Sequence, residues 1–130
     1  MLISRVQISK RRLGHVYVQV SLRGPKKAKS VKMLVDTGAT YLMIPPRLAD
    51  ELGAIKLPGR IPTSYANGGR EELEATAVMI ELEGRVGGAI ALIGASDEPL
   101  LGVEALEALG LKVDPSTGRV EATRVYAARA

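Results

Sequence analysis

From His15 to Leu22 apolar and polar residues alternate, placing Val16, Val18 and Val20 on one face, and this period of two predicts a β-strand. The same alternation over residues 4–9 puts Val6 and Ile8 on one face of an earlier strand, with a hairpin at residues 11–14 joining the two. The segment RGPKKAKS (23–30) reads as a second hairpin loop leading into the apolar run VKMLVD (31–36), and TYLMI (40–44) as a short strand stopped by Pro45 and Pro46. PRLADELG then predicts one or two helical turns, with Leu48 and Leu52 one turn apart and Gly53 as the stop. Residues 54–64 predict loop and a short strand. SYANGGREE (64–72) is the strongest turn signal, because Asn-Gly-Gly supplies positive φ at little steric cost. LEATAVMIEL (73–82) returns as a strand, Glu83 and Gly84 turn, and RVGGAIALIG (85–94) is another strand. ASDEPLLG gives a loop and a strand ending at Gly102. VEALEALG (103–110) is a second short helix with Val103, Leu106 and Leu109 inward and Gly110 at its end, and a hairpin turning at residues 115–118 closes the chain.

Many short strands, Gly/Pro turns and two short helices predict a mostly-β barrel or sandwich. With 130 residues, no linker and no low-complexity tract, residues 1–130 read as one domain. The core must come from Val, Leu, Ile, Ala and Met, since Phe and Trp are absent. The absence of cysteine excludes disulfides, thiolate chemistry and Cys-ligated metals, and a single histidine, His15, cannot make a metal site; no cofactor is expected. His15 falls on the Gln19 face of its strand and reads as a surface residue. Charges interrupt the apolar residues of the N-terminus and no apolar run reaches the roughly 18 residues of a membrane span, so the expectation is a cytoplasmic protein that engages no membrane. The net charge of +4 concentrates at residues 10–12 and 23–29. Those clusters read as solvated loop tips, and without interleaved aromatics they lack a platform for stacking nucleic-acid bases.

One feature demands chemistry. The apolar strand VKMLVD ends on a carboxylate, Asp36, followed by Thr37, Gly38, Ala39 and Thr40. Placing a carboxylate at the end of a buried strand is costly unless something pairs with it or uses it. Downstream comes the Gly-rich hairpin around Asn67, Gly68 and Gly69, and then Leu100, Leu101 and Gly102 running into a short helix. In that order, over roughly residues 15–112, the chain resembles the retropepsin-like aspartic proteases, the retroviral-type, single-domain relatives of pepsin. Its layout is most like the cellular and bacterial single-domain members.

The resemblance implies a closed, orthogonal β-barrel of the acid-protease type with two short helices. It implies an aspartic endopeptidase with Asp36 catalytic, and Thr37, Gly38, Ala39 and Thr40 as the active-site loop at the centre of a dimer. Tyr65, Ala66, Asn67, Gly68 and Gly69 become the tip of a flap hairpin over about residues 62–82, and Leu100, Leu101 and Gly102 brace the active-site loop. Hydrolysis without a metal or covalent nucleophile needs two carboxylates, about 3 Å apart and sharing one proton. One chain of this length supplies one such Asp, so the expected partners are a second copy in a C2 homodimer and an extended peptide.

Two features depart from the retroviral pattern. Thr40 stands where many retroviral members carry an Asp that helps hold substrate. About twenty residues follow Gly110, beginning with a hairpin over about residues 111–125, whereas retroviral chains end soon after their helix. Two other functions compete with proteolysis: a non-catalytic peptide-binding or assembly module of the same fold, and a nucleic-acid accessory domain using the basic loops. The intact Asp-Thr-Gly favours the enzyme, because a pure binding module has no need of a paired Asp.

Overall fold

The computed structural model describes residues 15–96, 98–114, 116–125 and 127. The expected strand at residues 4–9, its hairpin and the basic cluster at 10–12 lie outside them. The chain opens with a hairpin of β1 (Tyr17–Arg23) and β2 (Ala28–Asp36), registered from Tyr17↔Leu34 to Arg23↔Ala28. β2 starts three residues before the expected Val31, because the ladder continues until the Gly24 N–H meets the Lys27 carbonyl at 3.1 Å. Then come β3 (Leu42–Ile44), α1 (Pro46–Leu52), β4 (Ile61–Ser64), β5 (Arg70–Leu82) and β6 (Arg85–Ile93). β7 (Leu100–Gly102), α2 (Val103–Ala108), β8 (Leu111–Asp114) and β9 (Arg119–Ala122) complete the described elements.

The strands run β1-β2-β7-β3-β6-β5, and β5 pairs back onto β1 through Ser21↔Glu81, Leu22↔Ile80 and Arg23↔Met79, which closes a six-stranded barrel. β4 hangs on the free edge of β5, and β8 with β9 forms a separate two-stranded sheet. The alternation read in the sequence sets the barrel interior: Val16, Val18, Val20 and Leu22 are buried, as are Met33 on β2 and Val78, Ile80 and Leu82 on β5. Leu101, Leu106, Leu109, Leu111 and Val120 join the same core, so α2 and the C-terminal hairpin close one end of it. Each fully buried aliphatic side chain contributes on the order of 1.5–3 kcal/mol. A smaller cluster of Met43, Leu73, Ala75 and Leu92 lies to one side.

α1 begins with Pro46, whose fixed φ suits a first helical position, and buries Leu48, Ala49 and Leu52. Gly53 ends it at φ 69°, and the Lys26 N–H caps the Leu52 carbonyl at 2.9 Å. α2 buries Ala105 and Leu106, with buried Leu109 just beyond it. The expected inward Val103 is only half-buried, because it sits at the strand-to-helix junction with its N–H turned to the Ala39 carbonyl. The basic loop is solvated, as its composition suggested. Lys29 and Lys27 lie 2.6 and 3.8 Å from Glu51 and, led by the Lys29 hydrogen bond, hold its carboxyl below the usual range. Among the described residues no helix is long and apolar enough to cross a membrane.

Candidate active site

Asp36 is the last residue of β2, and its position is fixed from the side. β7 runs parallel to β2 with Leu34↔Leu100, Val35↔Leu101 and Asp36↔Gly102 in register, and the Leu34 N–H reaches the Pro99 carbonyl at 3.0 Å. Past Asp36 the chain turns tightly. The Ala39 N–H donates to the Asp36 carbonyl, and the Gly38 N–H to Asp36 Oδ1, both at 3.0 Å. The loop is tied to the start of α2 by Val103 N–H to the Ala39 carbonyl (2.9 Å) and Glu104 N–H to the Thr40 carbonyl (3.2 Å). Gly102 makes this approach possible: a Cβ there would lie 2.5 Å from the Tyr41 oxygen and 2.7 Å from the Thr40 oxygen. Asp36 is half-buried in the single chain, while Thr37, Gly38 and Thr40 are exposed.

The flap hairpin pairs β4 with the first residues of β5, from Ile61↔Leu73 to Ser64↔Arg70. From Glu74 to Leu82 the strand β5 pairs with β6 in the barrel wall, so the free-standing hairpin is shorter than the expected 62–82. Its tip closes through Gly68 N–H to the Tyr65 carbonyl (2.9 Å) and Tyr65 N–H to the Gly69 carbonyl (2.8 Å), with Asn67 Oδ1 accepting from the Gly69 N–H at 2.8 Å. Of the two glycines only Gly68 has a positive φ, 89°. Gly69 is small for a different reason, since a Cβ would come within 3.0 Å of Asn67 Oδ1. Tyr65 is an exposed side chain; its hydroxyl donates to Glu71 Oε1 at 2.7 Å, which raises the phenol above its ordinary pKa.

The β4–β5 hairpin and the loop after Asp36 both line a cleft of about 660 Å³. Its walls are Asp36 with residues 38–41, residues 61–66, and Met43, Leu92, Ala95, Ser96 and Leu100. Thus Asp36, Gly38, Ala39, Thr40, Tyr65, Ala66 and Leu100 meet in one space. Thr37, Asn67, Gly68, Gly69, Leu101 and Gly102 do not line it. Tyr41, Met43, Ile61 and Leu92 were not singled out in the sequence, where they look like strand and core positions. Met43 and Leu92 are brought together by the parallel β3–β6 pairing Met43↔Leu92, and Ile61 by its pairing with Leu73, neither of which a local pattern announces. His15 is half-buried, and among the described residues no group of three or more His, Cys, Asp or Glu could hold a metal ion.

The model of the family described as "gag-polyprotein putative aspartyl protease" matches residues 18–108. The chain belongs to this family. The matched span runs from β1 to the end of α2, so it takes in Asp36, the flap and β7, and leaves the C-terminal hairpin outside. Among solved structures the chain is similar to the EIAV protease complexed with the inhibitor HBY-793. The TM-score is 0.65 and the identity 21%, over 84% of this chain and 99% of that one. No curated protein matches the sequence. The closed barrel with its two helices is the retropepsin fold.

Proposed function

We propose that this member of the aspartyl protease family is a homodimeric endopeptidase of one domain, cleaving extended peptides with Asp36 and its mate from a second copy as the catalytic pair. The observation that carries this is the placement of Asp36 in a cleft under a hairpin, its Oδ1 already accepting the Gly38 N–H at 3.0 Å. In the pair one carboxylate is ionised and the other protonated. The ionised one takes a proton from the bound water as its oxygen attacks the scissile carbonyl carbon, and the protonated one donates to the carbonyl oxygen. The tetrahedral diol then collapses, the C–N bond breaks, and the amine leaves with a proton returned from the pair. Thr37, exposed beside Asp36, would hydrogen-bond across the two-fold axis and lock the loops together. Ala39 and Gly38 keep the cleft wall low enough for a peptide backbone, β7 braces the loop, and the hairpin excludes water over the bound chain.

Asp36→Asn tests the proposal directly. Cleavage of a peptide library should be abolished, while circular dichroism and thermal midpoint stay close to those of the unsubstituted protein. Cleavage by the Asn variant would move the activity to another group. Tight peptide binding with no cleavage by the unsubstituted protein would instead leave a peptide-binding module of the same fold.

A further inference from the structure

The flap carries a side-chain tether that the Asp36 chemistry does not use. Tyr65 sits where β4 ends and the tip begins and is one of the residues lining the cleft; its hydroxyl donates to Glu71 Oε1 at 2.7 Å, across the hairpin. Glu71 stands opposite Thr63 in the β4–β5 ladder, so it shares the sheet face of Thr63 and Tyr65, and it is exposed. The backbone at the tip holds the other end of the tyrosine, since both its N–H and its carbonyl are bonded within the turn. The ring packs beside the tip, since a Cβ on Gly69 would stand 3.7 Å from Tyr65 Cδ2, an ordinary van der Waals distance.

An exposed tyrosine with a free hydroxyl samples several rotamers, and fixing it costs side-chain entropy when a ligand arrives. A charge-assisted hydrogen bond removes that cost beforehand. It also consumes the phenolic proton, leaving the oxygen lone pairs to accept from a peptide N–H. We propose that Tyr65 is a substrate-contacting residue of the flap and Glu71 its positioning residue, holding the ring over the cleft so that it meets an extended peptide without rearrangement. This rests on the peptide-cleaving function proposed above and adds the residues that set peptide affinity. The Glu71 hydrogen bond, ahead of burial, also raises the phenol of Tyr65 above its ordinary pKa.

The test uses Tyr65→Phe, Glu71→Ala, Glu71→Gln and the double variant Tyr65→Phe/Glu71→Ala. Two probes are used, a cleavable peptide and a statine-containing heptapeptide with apolar flanking residues. Glu71→Ala and Tyr65→Phe should each raise KM and the statine-peptide Kd by about five- to tenfold, with kcat within about twofold and the thermal midpoint unchanged. The double variant should be no worse than either single one, because both remove the same bond. Glu71→Gln, which keeps an acceptor oxygen, should recover part of the affinity. NMR of 13C-labelled tyrosine should show one phenol whose titration moves down toward that of free tyrosine in Glu71→Ala. Unchanged KM and Kd in Glu71→Ala, or additive losses in the double variant, would overturn the proposal. The statine-peptide and NMR arms need no turnover. A protein that binds and responds in this way without cleaving would refute proteolysis and leave the flap assignment standing.

Discussion

At the scale of single residues, two backbone positions show how differently sequence and structure speak. Glu83 has φ 58° beside Gly84 at 69°, so the β5–β6 hairpin turns on two left-handed residues. That is a type I′ arrangement, which favours Asn, Asp or Gly in the first place. Glu83 is a poor choice there, and its Oε2 is buried without a hydrogen-bond partner. Glu83→Asn should therefore stabilise the protein by about 1 kcal/mol, read as a rise in the denaturation midpoint, since it relieves a strained φ and an unsatisfied oxygen together. Gly102 is the opposite case. Its φ is unremarkable, yet a Cβ would lie within van der Waals overlap of two carbonyl oxygens of the active-site loop. Gly102→Ala should cost about 2–4 kcal/mol and lower activity beyond the loss of folded protein, because the displaced atoms belong to the loop that carries Asp36. The place of Asp36 at a strand end was legible in the sequence, where an apolar run meets the Thr37–Gly38 turn. The reason for Gly102 was not, because it depends on residues 40 and 41 arriving from a distant part of the chain.

At the scale of elements, period and turn chemistry located nearly every described strand and both helices, from the Val16–Val18–Val20 face to the Gly53 stop. Their order around the barrel was not legible: β7 inserts between β2 and β3, and nothing local in Leu100–Gly102 encodes two neighbours so remote in sequence. The end of α2 was equally silent. Its last carbonyls are met by side chains from far away. Arg85 donates to the Leu109 and Gly110 oxygens at 2.9 and 3.1 Å, and Arg124 to those of Glu107 and Ala108 at 3.3 and 3.0 Å. Arg85→Met keeps the aliphatic stem and removes the donors, and should lower stability by about 1–3 kcal/mol in denaturant titration. The C-terminal hairpin has a proton-sensitive turn. The Asp114 carboxylate accepts from the Ser116 hydroxyl at 2.7 Å and N–H at 2.9 Å, and these bonds hold its pKa below the usual 3.8. A carboxyl depressed on folding stabilises the folded form above its unfolded pKa and loses that contribution as pH falls through the folded value. Amide exchange in β8 and β9 should therefore accelerate below about pH 4, relative to the barrel strands, and Asp114→Ala should show the faster exchange already at neutral pH. Equal exchange in the two proteins at neutral pH would remove Asp114 from the account of this turn.

At the scale of the whole molecule, one closed barrel brings Asp36 to its cleft. Asp36 is half-buried in the single chain, and the residues after it, Thr37 and Gly38, are exposed although the loop they belong to is pinned on its inner side to β7 and α2. A rigid loop with an exposed outer face can meet its own copy about a two-fold axis without unfolding anything. The paired-carboxylate chemistry proposed for Asp36 requires such a meeting, since among the described residues no second Asp lines the cleft. Specific activity should then fall on dilution below the dimer dissociation constant and recover on concentration. Sedimentation of the same samples should follow it, with a peptide-mimetic inhibitor shifting the equilibrium toward the dimer. Thr37→Arg separates assembly from folding. The side chain replaced is exposed in the single chain, so stability should change by less than about 0.5 kcal/mol. Two guanidinium groups would nevertheless face each other at the axis, where like charges and bulk oppose association. The variant should sediment as a folded monomer and cleave nothing. Full activity from that monomer, or unsubstituted protein whose specific activity ignores dilution while it sediments as a monomer, would show that one Asp36 suffices, and the shared-proton mechanism would have to be abandoned.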